Sequence, residues 1–182
     1  MAREQTGGSK KTITSVVSTL VLLLLIYGVW WASQSLQTAI VPTGSMKPTL
    51  LVDDIIAVRK DAFNGKKPRR GDIVLFVREG QDDYFVKRIV GLPGETVMVA
   101  SGHVEINGKW LDEPYVNRQM IREIPHRWVL EEDEYFLMGD NRAQSEDSRD
   151  FGPVKLENIT GLVTGVISPP MRRSRISNPF TP

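Results

Sequence analysis

Four stretches of the 182-residue chain concentrate residues that could do chemistry: 42–50 (PTGSMKPTL), 71–76 (GDIVLF), 87–94 (KRIVGLPG) and 139–154 (GDNRAQSEDSRDFGPV). Each alone has an ordinary explanation. Ser45 beside Gly44 and Pro48 reads as a turn serine, GD and LPG mark turns, and the last stretch reads as a polar loop with local ion pairs. If Ser45 is instead a nucleophile, it needs a base. A Ser-His-Asp arrangement could draw only on His103 and His126, the two histidines of the chain. His103 immediately precedes a hairpin signal and His126 lies in the polar, proline-containing REIPHRW, both settings typical of surface residues. Two isolated histidines without HExxH or Cys-His spacing make no zinc site, so no metal or cofactor is expected.

Lysine is another base open to serine, because burial favours the neutral amine, which can take a hydroxyl proton. In YFVKRIV the alternation of a strand puts Lys87 on one face with Phe85 and Ile89, and Arg88 on the other with Val86 and Val90. The pattern accepts either cation, but a guanidinium cannot be deprotonated in a protein, which leaves Lys87. Each unit by which burial lowers the lysine pKa costs about 1.4 kcal/mol. On this segment alone, a half-buried stem with its ammonium in water fits equally well.

The elements that must position these residues follow from the hydropathy pattern. Residues 13–33 (ITSVVSTLVLLLLIYGVWWAS) carry no charge and would span about 31 Å as a helix, the thickness of the hydrocarbon core. Tyr27, Trp30 and Trp31 gather at the C-terminal end and Lys10 and Lys11 precede the run, which predicts a single-pass anchor with a cytoplasmic N-terminus. A cleaved secretory signal begins similarly, but no small-x-small site follows the tryptophans. Beyond Val52, β-branched and aromatic runs separated by turns predict strands at 55–59, 72–77, 84–90, 96–100, 134–138 and 161–167. Asn107-Gly108 within HVEINGKWL predicts a type I′ hairpin. The expected fold is therefore an all-β domain, an irregular sandwich or barrel of mostly antiparallel strands, behind one transmembrane helix. Its expected parts are a cytoplasmic segment 1–12, the helix 13–33, an extracytoplasmic body 34–168 and a flexible basic tail 169–182.

Charge and composition narrow the partners. Of the net +1, residues 1–12 carry +2 and the tail +3, which leaves −4 on residues 13–168. A mildly acidic body offers nucleic acid no basic face, whereas the basic ends could meet anionic headgroups of a lipid bilayer. The absence of cysteine excludes disulfides and thiolate chemistry.

Taken jointly and in order behind the apolar run, the four stretches resemble the characteristic boxes of bacterial type I signal peptidases: S-M-x-P-T-L, then K-R-x-x-G-x-P-G, then G-D-N-R-x-x-S-x-D-S-R. The resemblance covers about Ile13 to Val154. It implies a serine endopeptidase of the Ser-Lys type that removes signal peptides from exported preproteins after A-x-A-like sites, on the outer face of a plasma or thylakoid membrane. By the same resemblance Ser45 is the nucleophile and Lys87 the general base. Thr43 stands where the family, often with serine, adds a hydroxyl to the Ser45 N–H to form the oxyanion hole. Ser145 matches a serine that hydrogen-bonds and orients the lysine. Asp147 and Arg149 match a supporting ion pair, Asp140, Asn141 and Arg142 shape the same loop, and Lys47 faces solvent. The outer body is small for this family, with 99–127 as the remnant of a larger insertion. Two other readings are a self-cleaving Ser-Lys regulator, which should be soluble and fused to a DNA-binding domain, and a non-catalytic tethered module, which has no need of Ser45, Lys87 and Ser145 together.

Overall fold

The structure, a computed structural model, describes residues 7–81, 83–116 and 124–180. It divides into two units, residues 1–36 and 37–182.

The first unit is a helix, α1 (Gly7–Gln34, 28 residues). It starts ahead of the predicted Ile13, because Ser9 to Lys11 are tolerable helix formers with nothing to stop them. Its described side chains, 13–28, include Leu20 to Tyr27, each at least half exposed. Among the described residues no helix is long and apolar enough to cross a membrane; the side chains of Trp30 and Trp31 lie outside them.

The second unit is built of antiparallel pairs. The strands are β1 (Leu36–Ile40), β2 (Ile55–Arg59), β3 (Ile73–Val77), β4 (Tyr84–Gly91), β5 (Thr96–Ala100), β6 (His103–Ile106), β7 (Lys109–Trp110), β8 (His126–Val129), β9 (Glu134–Met138), β10 (Val154–Lys155), β11 (Ile159–Ser168) and β12 (Ser174–Arg175). One sheet has the order β1-β2-β11-β3-β4-β9-β10 with β12 added on β11, and a second, smaller sheet runs β7-β6-β5-β8. The small sheet includes the span 99–127 expected to be a remnant insertion and overruns it at both ends, from Thr96 of β5 to Val129 of β8; residues 117–123 of that span are outside the description. Asn107 and Gly108, at φ 51° and 83°, form the predicted hairpin turn between β6 and β7.

Apolar clusters lie against both faces of the large sheet. Val41, Met46 and Leu50 pack with Ile56, Val58, Leu75 and Val166, while Val74, Phe76, Ile89 and Leu137 form a separate cluster. Because β4 is covered on both sides, all of Val86 to Gly91 is buried and period-two burial disappears.

The C-terminal tail differs from its expected looseness. Ser174 and Arg175 pair with Val166 and Gly165, Ile176 packs against the core, and the Asn178 side chain donates to Arg70 O at 2.8 Å and Asp72 Oδ1 at 2.7 Å. Its polar composition suggests disorder, but its few hydrogen-bonding and apolar groups find long-range partners that local sequence does not display.

Candidate active site

Ser45 and Lys87 come together from unlike surroundings. Ser45 is buried in a single 3-10 turn, Gly44–Met46, within the connection from β1 to β2. Lys87 is the fourth residue of β4, opposite Val74 of β3, and is 4% exposed. Its Nζ lies 2.8 Å from Ser45 Oγ. Burial pushes the Lys87 pKa down, and it outweighs the nearby carboxylates Asp147, Glu146 and Asp140, which favour the charged form. The strand thus presents an amine whose proton is weakly held against the serine hydroxyl.

Thr43 Oγ1 donates to Ser45 Oγ at 3.2 Å, so its hydroxyl is beside the reacting atom. The Ser45 N–H, in the first turn of its helix, has no intrahelical carbonyl to serve. Thr43, Ser45 and Lys87 border a cleft of about 350 Å³ walled by Val41, Pro42 and Met46 on one side and by Tyr84, Phe85 and Val86 on the other. The pairing of β4 with β9 begins at Arg88, so the part of β4 along the cleft is unpaired on that edge.

The loop after β9 holds the serine turn. Asn141 donates its backbone N–H to Ser45 O at 3.0 Å and its side-chain amide to Gly44 O at 3.1 Å. Gly139 makes this approach possible: a Cβ there would come within 2.2 Å of Ser145 Oγ and 2.5 Å of Ser45 O. Gly139 also donates its N–H to Asp147 Oδ2 at 3.0 Å. Asp147 is fully buried, pairs with Arg149 at 2.8 Å and caps the short helix α2 (Ser148–Phe151) through a reciprocal capping box with Asp150. Arg149 reaches back to Arg142 O at 2.8 Å.

Two buried ion pairs flank this loop. Arg88 grips Asp140 with two bonds of 2.8 and 2.7 Å, donates to Gly71 O at 2.9 Å and lies 4.0 Å over the Tyr115 ring. Asp140 also accepts from the Thr49 hydroxyl. Arg142 pairs with Glu113 and donates to Gly139 O at 3.0 Å and Gly102 O at 2.8 Å. Burial, then the Glu113 carboxylate, pushes the Tyr115 pKa upward, so this hydroxyl stays protonated and donates to Glu113 at 2.8 Å.

The site residues read from sequence therefore converge, with one difference. Ser145 makes no hydrogen bond to Lys87: its buried Oγ has no partner and is turned into the space that the missing Cβ of Gly139 leaves. Sequence reasoning missed Gly139, Thr49, Arg88, Glu113 and Tyr115 as supports. In the sequence Arg88 enters only as a rival to Lys87 for the base, and no local signal points from it to Asp140, 52 positions away. Lys47 is exposed, and His103 and His126 lie exposed on the small sheet.

A serine hydroxyl thus stands against a buried lysine amine in a mostly antiparallel β body. The family described as signal peptidase, peptidase S26, matches residues 10–167, and the chain belongs to it. It is 39% identical over 127 residues to a probable signal peptidase I-2 of Synechocystis sp., covering 66% of this chain and 58% of that one. It is 39% identical over 132 residues to the signal peptidase I of Leptolyngbya laminosa, covering 66% and 63%. The signal peptidase I P of Bacillus subtilis subsp. natto is 30% identical over 183 residues, covering 93% and 96%. The chain thus spans less than two thirds of the length of the Synechocystis and Leptolyngbya relatives.

Proposed function

We propose that this chain is a signal peptidase I that removes N-terminal signal peptides from exported preproteins after an A-x-A-like site. The observation that carries the reading is the 2.8 Å approach of a buried Lys87 amine, its pKa lowered by desolvation, to Ser45 Oγ. Neutral Lys87 accepts the Ser45 proton as the oxygen attacks the scissile carbonyl. Thr43 then swings its hydroxyl from Ser45 Oγ to the new oxyanion, which the Ser45 N–H also binds. Protonated Lys87 hands its proton to the leaving amine, leaving an acyl-enzyme on Ser45. A water deprotonated by the same lysine hydrolyses the ester. The unpaired edge of β4 along the cleft suits an extended peptide, which would add as a strand while small side chains enter the cleft.

The same reading makes 13–33 a transmembrane anchor with residues 1–12 in the cytoplasm and the body on the outer face of a plasma or thylakoid membrane. That places the cleft near a signal peptide's own apolar segment in the bilayer. Ser145 would engage Lys87 by a rotation of its hydroxyl once substrate is bound, and Asp140, Asn141, Arg142, Asp147 and Arg149 keep the loop in place. Cleavage of an A-x-A preprotein by detergent-solubilised protein tests the reading. Cutting after that site, lost in folded Lys87→Ala and Lys87→Arg, supports it; activity in Lys87→Arg would overturn lysine as the base.

A further inference from the structure

The end of the described chain lies beyond the residues that the family match covers, 10–167, yet it holds the loop that carries Ser45. That loop, 41–54, has no ladder of its own. It is closed where Val41 N donates to Asp54 O and Asp53 N to Val41 O, both at 2.9 Å, and where Leu51 N donates to Asp54 Oδ2 at 2.8 Å. Asp54 is 1% exposed, and a buried carboxylate needs a paired charge. Arg172 supplies it, donating from Nε to Oδ1 at 3.0 Å and from a terminal nitrogen to Oδ2 at 2.9 Å. The same terminal nitrogen reaches Thr49 O at 3.3 Å. One guanidinium therefore ties position 49 to position 54, and the Thr49 hydroxyl continues the connection to Asp140. The segment is fixed downstream by Ile176 N to Thr164 O at 3.0 Å and by Asn178 on the Gly71 turn. Gly71, at φ +86°, has no Cβ because Asn178 and Phe180 lie where it would be.

We infer that the segment 172–178 is a clamp on the nucleophile loop and that Arg172 is a positioning residue for Ser45; this rests on the reading of Ser45 as the nucleophile. Within the clamp Arg172 bonds the serine loop, whereas β3, β4 and β9, which carry Lys87 and its neighbours, are held by their own ladder. Loosening the clamp moves Ser45 relative to Lys87 and lowers turnover rather than substrate binding.

The test compares wild type, Arg172→Ala, Arg172→Lys, Asp54→Asn and the Asp54→Asn/Arg172→Ala double variant in the full chain. It measures cleavage of an A-x-A preprotein and amide hydrogen exchange. Arg172→Ala should lower kcat about 10- to 100-fold with KM within about twofold, the scale expected of a small misplacement of a reacting group. Exchange at Val41, Leu51 and Asp53 should quicken about tenfold or more while β4 and β9 amides keep wild-type rates, because local opening is independent of global unfolding. Arg172→Lys should retain part of the activity, and the double variant should fall within about threefold of Asp54→Asn alone, since the two residues act as a pair. Unchanged loop exchange in Arg172→Ala, or faster exchange spread evenly over the body, overturns the clamp. If wild type leaves the preprotein uncut, the proposed activity has failed, and the exchange pattern alone decides whether the clamp exists.

Discussion

The two halves of the Ser45–Lys87 pair are positioned by different physics. Lys87 stands on β4, paired with Val74 of β3 and one residue before the ladder to β9 begins, where its backbone course is set by repeated ladder bonds and by apolar packing on both faces. Ser45 stands on a single helical turn whose place depends on individual contacts: Asn141 on Gly44 and Ser45, Thr49 on Asp140, and the close approach of Gly139. A ladder shares its load over many equivalent bonds, whereas a loop held by side chains depends on each one. The base side should therefore tolerate change in its supports through stability, and the nucleophile side should register it first in rate.

The reacting atoms themselves should show the largest effects. Ser45→Ala and Lys87→Met should each remove about 10⁴-fold or more of the cleavage rate, as loss of a catalytic dyad member does. They should part in thermal unfolding. Lys87 has a folded pKa below its unfolded value, so the fold gains stability as pH rises from the folded pKa toward 10.5 and bears the full burial cost below it. Lys87→Met should accordingly raise Tm at pH 7, with about 2–4 °C for each kcal/mol recovered, and flatten the alkaline rise in stability. Wild-type kcat/KM should climb with pH through the same lowered pKa. A Lys87→Met protein no more stable than wild type would show that the lysine is not destabilised where it stands.

Gly139→Ala comes next, because its Cβ would meet Ser45 O and Ser145 Oγ at impossible distances. It should cut the rate by about 10³-fold and stability by about 1–3 kcal/mol, the usual penalty for overpacking, both read in one preparation by kinetics and urea unfolding. Thr43→Ala should lower kcat about 10²- to 10³-fold with unchanged Tm, whereas Thr43→Ser should restore it. Equal activity in Thr43→Ala and wild type would remove Thr43 from the oxyanion site. At the far end of the scale, Gly108→Ala in the β6–β7 turn should cost about 1 kcal/mol for its left-handed backbone and leave kcat and KM untouched. A loss of turnover there would blur the separation drawn between ladder and loop.

How much of this was legible in sequence divides along the same line. The runs at 55–59, 96–100 and 134–138 coincide with β2, β5 and β9, because β-branched alternation is a local signal. β1 and β8 went unread: LQTAI adjoins the apolar run without a turn signal, and HRWV is short and half polar, without alternation. The chemistry open to the central residues was partly legible, since of Lys87 and Arg88 only the lysine can lose a proton, but the pairing of Lys87 with Ser45 came from the family resemblance. Partnerships across the fold were not. Nothing near Asp140 announces Arg88, and nothing near Arg142 announces Glu113, although both pairs are buried. The Ser145 hydroxyl illustrates a finer limit, because residue identity fixes a group's chemistry and not its rotamer. The tail was misread for the same reason: its anchoring partners, Asp54 and Asp72, lie more than a hundred positions earlier.

In the large sheet, β11 lies between β2 and β3, and the Thr164 hydroxyl on it meets Ala57 from 107 positions away. On one side of β11 are β1 and β2 with the serine loop between them; on the other are β3, β4 and β9 with the lysine. During synthesis both pieces leave the ribosome before the strand that joins them. A nascent chain halted ahead of Ile159 would carry both groups without the strand that joins their two parts of the sheet. The order of strands thus makes the joining of the two parts wait for β11, which follows both Ser45 and Lys87 in sequence.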